Sequence, residues 1–482
     1  MLLALSHLMA ALSNWKFKPN NMRMYKKVLL SLILVTASFG IQAQEVQGFV
    51  HQRSDSYVWP TEKDVLNKLN TWQDRKFGVL FHWGLYSVPG IVESWSICSE
   101  DEEWIPRDEK WNYEDYKKWY WGLKDSLNPV KFNPDQWADV MLDAGMKYMI
   151  FTTKHHDGFC MYDSKETDFS IAHGAFKDNP HKDVARYVFD AFRKKDFMIG
   201  TYFSKPDWHC PYYWWPYYAT PTRNVNYKID HHPKRWAKYQ QFTYNQISEL
   251  MNNYGKMDIL WLDGGWVAAP RQDVKIDEIV GMARKAQPGL IVVDRSIRGK
   301  NENYQTPERG IPETQLPHPW ESCITMSNDW GWTPNAPYKS PEKIIATLTE
   351  ITAKGGCLLL GVGPTPEGVI EAEAVKRLHK VGEWLKTNGK AIYNTRITPV
   401  YNEGNVWFTA DKDGKTLYAI YVLPEGEQLP ATIEWSKNLP TGKVTLLQNG
   451  KRVRYTNKEG TIKVTVPKGI KNESLAFSFT IK

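Results

Sequence analysis

The sequence predicts a (β/α) barrel, TIM-like and somewhat irregular, over residues 44–396, followed by a small C-terminal antiparallel β-sandwich over residues 397–482. Three observations predict this. Short apolar runs alternate with amphipathic stretches from Trp72 to about Asn394, the pattern of a parallel sheet wrapped by helices. Five of those runs end in reactive side chains, and in (β/α) barrels such groups gather at the C-terminal strand ends. From about Thr398 the pattern changes to brief β-rich runs separated by turn signals such as Asp413-Gly414 and Asn449-Gly450.

Residues 1–43 read as a preface and secretory signal. Lys26-Lys27 precedes the apolar stretch Val28 to Phe39, and Ala43 offers a small residue for cleavage. The stretch is short for a membrane-spanning helix, so no membrane insertion is expected after signal removal, and the expected location is secreted or periplasmic. The strand-like runs come next. Phe77–Phe81 leads to His82. Lys147–Lys154 leads to His155-His156-Asp157. Met198–Thr201 leads to Tyr202, Met257–Leu262 to Asp263, and Leu290–Val293 to Asp294-Arg295. Gly355–Pro364 reads as a closing strand. Helical periodicity marks Asp135–Ala144, Lys182–Lys194, Arg235–Tyr254 and Pro341–Ala353, the last with proline in its first turn. A doubly wound open sheet is the alternative, but it serves its ligand from few strand ends. Beyond Thr398, six runs from Val406–Thr409 to Leu475–Thr480 supply the sandwich.

Among 482 residues there are 22 Trp and 25 Tyr. Flat rings with polar tips pack well on sugar C–H faces, so this composition leans towards carbohydrate. The formal charge of +7 falls by five, to +2, once the Lys and Arg of residues 1–43 are removed, since that stretch holds no Asp or Glu. No basic tract or RNA-binding motif points to nucleic acid. The five cysteines, Cys98, Cys160, Cys210, Cys323 and Cys357, show no CxxC or zinc-ligand spacing.

Glycoside hydrolysis needs two carboxyl groups, one to protonate the leaving oxygen and one to attack or to activate water. Asp263, fixed at a strand tip, suits attack; capping the next helix or pairing with Arg295 is its structural use. The loop Ser296–Pro319 supplies Glu302, Glu308 and Glu313, and Glu321 follows it. His155 and His156 are adjacent, so on a strand they face opposite sides and would not share an ion without a bend in the chain. No HxH or HExxH spacing occurs, and no metal or other cofactor is expected. Trp261 shares a face with Asp263; Trp330 and Trp332 share another.

These motifs together resemble the α-L-fucosidases of glycoside hydrolase family 29. The matching segments are Phe81-His82-Trp83-Gly84-Leu85-Tyr86-Ser87-Val88-Pro89, Thr153-Lys154-His155-His156-Asp157-Gly158-Phe159, Leu260-Trp261-Leu262-Asp263-Gly264, Thr306-Pro307-Glu308, Trp320-Glu321-Ser322-Cys323 through Trp330-Gly331-Trp332, and Leu358 to Gly368. The resemblance implies a barrel plus β-sandwich and a retaining, metal-independent exo-α-L-fucosidase acting on fucosylated oligosaccharides or glycoconjugates. It implies Asp263 as nucleophile and His82, His155, His156, Tyr202 and Arg295 as contacts to sugar hydroxyls. Trp261 and Trp332 become pocket wall for the C5 methyl. Glu308 is the first choice for acid/base and Glu321 the second. With Glu308 in that role, its carboxyl is expected about 5–5.5 Å from Asp263.

Two departures stand out. Family members often show an adjacent Glu-Trp pair soon after the first strand, contacting the sugar's axial hydroxyl; this chain has Glu93-Ser94-Trp95, with Glu93 and Trp95 expected as substrate contacts, and, later, Glu103-Trp104. Asparagines common in the closing strand are replaced by Cys357 and Gly361, a change expected to alter the barrel floor. The rival readings are a related galactoside or deoxysugar hydrolase, a silent sugar-binding protein, and a metal-dependent hydrolase. The segment Trp208–Tyr227, rich in aromatics, reads equally as leaving-group subsite or subunit interface. Oligomeric state is not encoded in any of these patterns.

Overall fold

The structure is a computed structural model that describes residues 57–98, 111–220 and 222–481. The expected signal and the Glu103-Trp104 pair lie outside the described residues. No described helix is long and apolar enough to cross a membrane.

The elements run α1 (Lys63–Arg75), β1 (Phe77–Phe81), α2 (Tyr113–Gly122), α3 (Pro134–Asp143), β2 (Tyr148–Lys154), α4 (Val184–Arg193), β3 (Met198–Ser204), α5 (Pro233–Asn253), β4 (Ile259–Asp263), α6 (Ile276–Ala286), β5 (Ile291–Asp294), β6 (Glu321–Thr325), α7 (Pro341–Ala353), β7 (Cys357–Val362) and α8 (Ala372–Asn388). Local chemistry sets their ends. Asn133 caps α3 by accepting the Gln136 amide at 3.1 Å, and Ser340 caps α7 through the Lys343 amide at 3.1 Å. Each cap is followed by a proline whose missing N–H costs nothing there. Val184, Val188, Ala191 and Phe192 bury one face of α4 against the sheet.

The seven strands form one parallel sheet in the order β5-β4-β3-β2-β1-β7-β6. Its first four strands in sequence are buried on both faces, save Asp263 at the tip of β4, as a barrel covered outside and filled inside demands. The two edge strands, β5 and β6, are joined by an irregular stave. The Asp294 amide bonds Asn301 O and the Asn303 amide bonds Val292 O, both at 2.9 Å. The Glu321 amide bonds Gln305 O at 2.7 Å, and the Arg309 amide bonds Cys323 O at 2.8 Å. Part of the stretch expected as a long loop is therefore the eighth member of the ring. Its polar composition hides it from periodicity.

Inside the ring lie Leu80, Tyr148, Ile150, Tyr202, Trp261, Val293, Tyr304 and Cys357. Helix α1 closes the N-terminal end, with Trp72 stacked on Tyr304 at 4.0 Å and 3°. Beyond the barrel, strands β8 (Asn402–Glu403), β9 (Val406–Ala410), β10 (Thr416–Tyr421), β11 (Thr432–Trp435), β12 (Val444–Leu446), β13 (Lys451–Val453), β14 (Tyr455–Lys458), β15 (Thr461–Thr465) and β16 (Leu475–Thr480) make two antiparallel sheets. Their orders are β13-β12-β16-β10-β9-β8 and β11-β15-β14. Trp435, Phe408, Phe477 and Phe479 fill the space between them.

Candidate active site

Asp263 is the last residue of β4, and its side chain is 19% exposed. One oxygen accepts the Tyr202 hydroxyl at 2.6 Å; the other accepts Arg295 Nη1 at 2.8 Å. His156 Nε2 stands 3.9 Å away. Burial alone pushes this carboxyl up, but Arg295, His156 and the Tyr202 bond outweigh it and hold it well below the usual Asp range. After Asp263 the chain must turn sharply. Gly264 sits at φ +85°, where a Cβ would meet the Pro206 ring at 2.2 Å.

Arg295, just past β5, uses every arm. Nη1 holds Asp263, Nη2 holds Glu308 at 2.7 Å, and Nε donates to Thr306 at 3.1 Å. Its guanidinium lies 4.4 Å from the centre of the Trp261 ring. Glu308 rides on the irregular stave, with its side chain 38% exposed, and also accepts the Trp330 indole N–H at 3.2 Å. A single guanidinium thus joins two carboxylates carried by different staves.

The histidines gather on the same mouth. His82 follows β1, with Tyr202 at 5.2 Å and Trp330 at 5.4 Å between ring centres. Its buried Nδ1 has no protein partner among the described residues, and burial keeps the ring neutral by lowering its pKa. His155 Nδ1 is hydrogen-bonded to Ser94 Oγ at 2.5 Å, and burial lowers its pKa to about 4. His156 pairs through Nδ1 with Ser204 Oγ. Strand alternation would send His155 and His156 to opposite faces. The structure departs from that expectation: β2 ends at Lys154, the backbone bends, and the two rings lie 4.3 Å apart on one side.

Glu93 is buried and accepts the amides of Trp330 and Gly331, each at 2.8 Å. Burial pushes its carboxyl up to about 7, against those two donors. Trp95 meets the His156 ring edge-on at 4.8 Å. The separated pair Glu93-Ser94-Trp95 therefore reaches the histidine cluster from a short 3-10 turn, Ser94–Ile97. Trp332 is half-buried, and its Cζ3 lies 3.2 Å from where a Gly90 side chain would begin.

Trp261 and Glu321 sit lower. Trp261 is buried, its ring stacked on Tyr202 at 5.2 Å. Glu321 opens β6 at its N-terminal end, is fully buried, and accepts the Tyr148 hydroxyl at 2.8 Å and the Trp261 N–H at 3.2 Å. It is not brought to the mouth with Asp263 and Glu308. Asp294, another strand-end acid, is buried in a pair with Lys205 at 2.5 Å and serves the frame.

Trp330 was visible in sequence only as a partner of Trp332, yet it touches Glu308, Glu93 and His82. Gly361 explains how it fits: a Cβ there would meet the Trp330 ring at 2.6 Å. Of the two closing-strand departures, Cys357 lies at the floor beside Glu321, whereas Gly361 makes room at the mouth. Trp266 also escaped the sequence reading; it lies 5.1 Å from the His156 ring, with Arg223 over its face. A surface cleft between α5 and α6, lined by Gln240, Tyr244, Lys275 and Glu278, touches none of these groups. Among the described residues no cluster of His, Cys, Asp and Glu has metal-ligand geometry.

Carboxylates meeting at the C-terminal mouth of a barrel, under histidines and indoles, are the equipment of a glycoside hydrolase. The Alpha-L-fucosidase family model matches residues 45–390, and the chain belongs to that family. It is 30% identical to the plasma alpha-L-fucosidase of Homo sapiens over 378 residues, 74% of this chain and 76% of that protein. Alpha-L-fucosidase isoenzyme 1 from Paenibacillus thiaminolyticus superposes with a TM-score of 0.73 at 28% identity, covering 87% of this chain and all of that one. Thermotoga maritima alpha-fucosidase, solved in complex with fucose, gives 0.69 at 26% identity, over 89% and 98% of the two chains.

Proposed function

We propose that this protein is a retaining exo-α-L-fucosidase that releases terminal α-L-fucose from oligosaccharides or glycoconjugates. The observation that carries the reading is the Arg295 bridge between Asp263 and Glu308. One guanidinium bonded to both carboxylates gathers them at one site, as the paired acids of a glycosidase must be. Asp263, held ionised, attacks the anomeric carbon as the glycosidic C–O bond breaks. Glu308 gives its proton to the departing oxygen. Water then attacks the same carbon, Glu308 takes a proton back, and the Asp263 ester is released. To carry a proton, Glu308 must exchange its Arg295 bond for the substrate. The neutral His82, His155 and His156 are suited to hydroxyl recognition, and the Trp330–Trp332 segment to the apolar side of a 6-deoxy sugar.

Hydrolysis of 4-nitrophenyl α-L-fucoside by wild type, Asp263→Ala and Glu308→Ala, with and without azide, tests this. Azide is expected to rescue Asp263→Ala with β-fucosyl azide as product, and Glu308→Ala with the α-azide. Release from a galactoside but from no α-L-fucoside would overturn the substrate assignment. Export is part of the proposal and rests on the N-terminal signal pattern. Edman sequencing of the secreted or periplasmic fraction should begin at Gln44; a full-length cytosolic chain would refute it.

A further inference from the structure

Glu321 is a carboxyl without an obvious use. It is fully buried, and an aliphatic side chain would fill its place without desolvating an acid. Burial pushes its carboxyl up to about 7, against the Tyr148 and Trp261 donors. The Tyr304 hydroxyl lies beside it without hydrogen-bond geometry. What the carboxyl fixes is the indole edge of Trp261, at 3.2 Å. That ring stands between neighbours on either side of β4. Tyr202, paired with Trp261 across β3, stacks at 5.2 Å and 29°. Arg295, just past β5, lies 4.4 Å from the ring centre. Tyr202 and Arg295 are the two groups that grip the two oxygens of Asp263.

We infer that Glu321 is a positioning residue for the reaction: by accepting the Trp261 N–H it locks the indole that spaces Tyr202 and Arg295 around Asp263. This rests on Asp263 being the attacking group. No bond or proton of the substrate passes through Glu321. Its influence is geometric and travels through one ring.

The test uses Glu321→Leu, Trp261→Phe and the double variant, on 4-nitrophenyl α-L-fucoside and on a benzyl α-L-fucoside with a poorer leaving group. Misplacing a reacting group by a fraction of an ångström to an ångström costs up to about 100-fold, so Glu321→Leu, which leaves the Trp261 N–H without its acceptor, should lower kcat by about 10- to 100-fold. The loss should be equal for both leaving groups, with KM within about twofold and no azide rescue, since positioning acts on the transition state more than on binding. The acid-side half-loss of kcat/KM should move to higher pH as the grip on Asp263 loosens. The double variant should be no slower than Trp261→Phe alone. A loss far larger for the benzyl substrate than for the 4-nitrophenyl one, with azide restoring turnover of the latter as the α-azide, would overturn the inference and make Glu321 the proton donor. A lower melting temperature with kcat and pH profile unchanged would reduce it to a packing role. Multiplying losses in the double variant would break the link through Trp261. Should Glu321→Leu not fold, Trp261→Phe alone must move the acid side, or the inference fails. Full activity in Asp263→Ala would instead sink the underlying reading, whatever Glu321 does.

Discussion

Asp263 and Glu321 are both carboxyls of the barrel interior, and both accept two hydrogen bonds from side chains. Asp263 has a guanidinium among its donors and some contact with solvent, and it is held well below its usual range. Glu321 has only a phenol and an indole, no solvent, and is pushed up to about 7. Neutral donors do not replace the lost hydration of an anion; a fixed cation does. The barrel thereby keeps an ionised acid at its mouth and a reluctant one in its interior, with Trp261 bonded to one and packed beneath the grip on the other. Position along the strand, and the charge of one neighbour, separate the roles.

The largest break in that contrast comes from Asp263→Ala, expected to cut kcat by about 10⁴-fold or more, as loss of a nucleophile does; steady-state kinetics on the aryl fucoside reads it. Glu308→Ala should follow, with a loss of about 10²- to 10⁴-fold on poor leaving groups and much less on activated ones. A flat response across a leaving-group series would remove Glu308 from proton transfer. Tyr202→Phe deletes one grip on Asp263. A hydrogen bond to a charged group is worth about 1.5–3 kcal/mol, so activity should fall roughly 10- to 100-fold. Because that bond lowers the Asp263 pKa, its loss raises it, and the acid side of the profile moves to higher pH. The smallest effect concerns stability. Glu321 in the folded chain titrates near 7 instead of 4.5, so the native state keeps a proton that the unfolded chain has lost. Its stabilising contribution is whole below about 4.5 and is lost as pH rises through about 7. Calorimetry should give a melting temperature at pH 8 below that at pH 5, and Glu321→Gln should narrow the gap by roughly 1–3 °C.

Much of this was legible in the sequence because buried parallel strands announce themselves. β1 and the tip of β4 at Asp263 fall where continuous apolar runs place them. Helix α7 begins and ends where its proline and periodicity put it. β6 was not legible, since Glu-Ser-Cys-Ile-Thr is polar and short. The stave from Asn301 to Arg309 was less so, because its partners are the two sheet edges, which only the closed ring brings near. The pairing of His155 with His156 was hidden for another reason: alternation holds on a strand and stops one residue after it. The place of Glu321 depends on which end of its strand it occupies, and β6 had first to be seen.

The ring has seven regular staves and one improvised. In the proposed mechanism attack is mounted on β4, whose neighbours bond it along both edges. Proton delivery is there assigned to the improvised stave, held by scattered bridges. The two halves of the chemistry therefore differ in how freely they can be redesigned. On that reading, substitutions beside Glu308 would retune the partner of the leaving group while both paired edges of β4 stay whole. Here the fold keeps a constant cutting edge and an interchangeable handle.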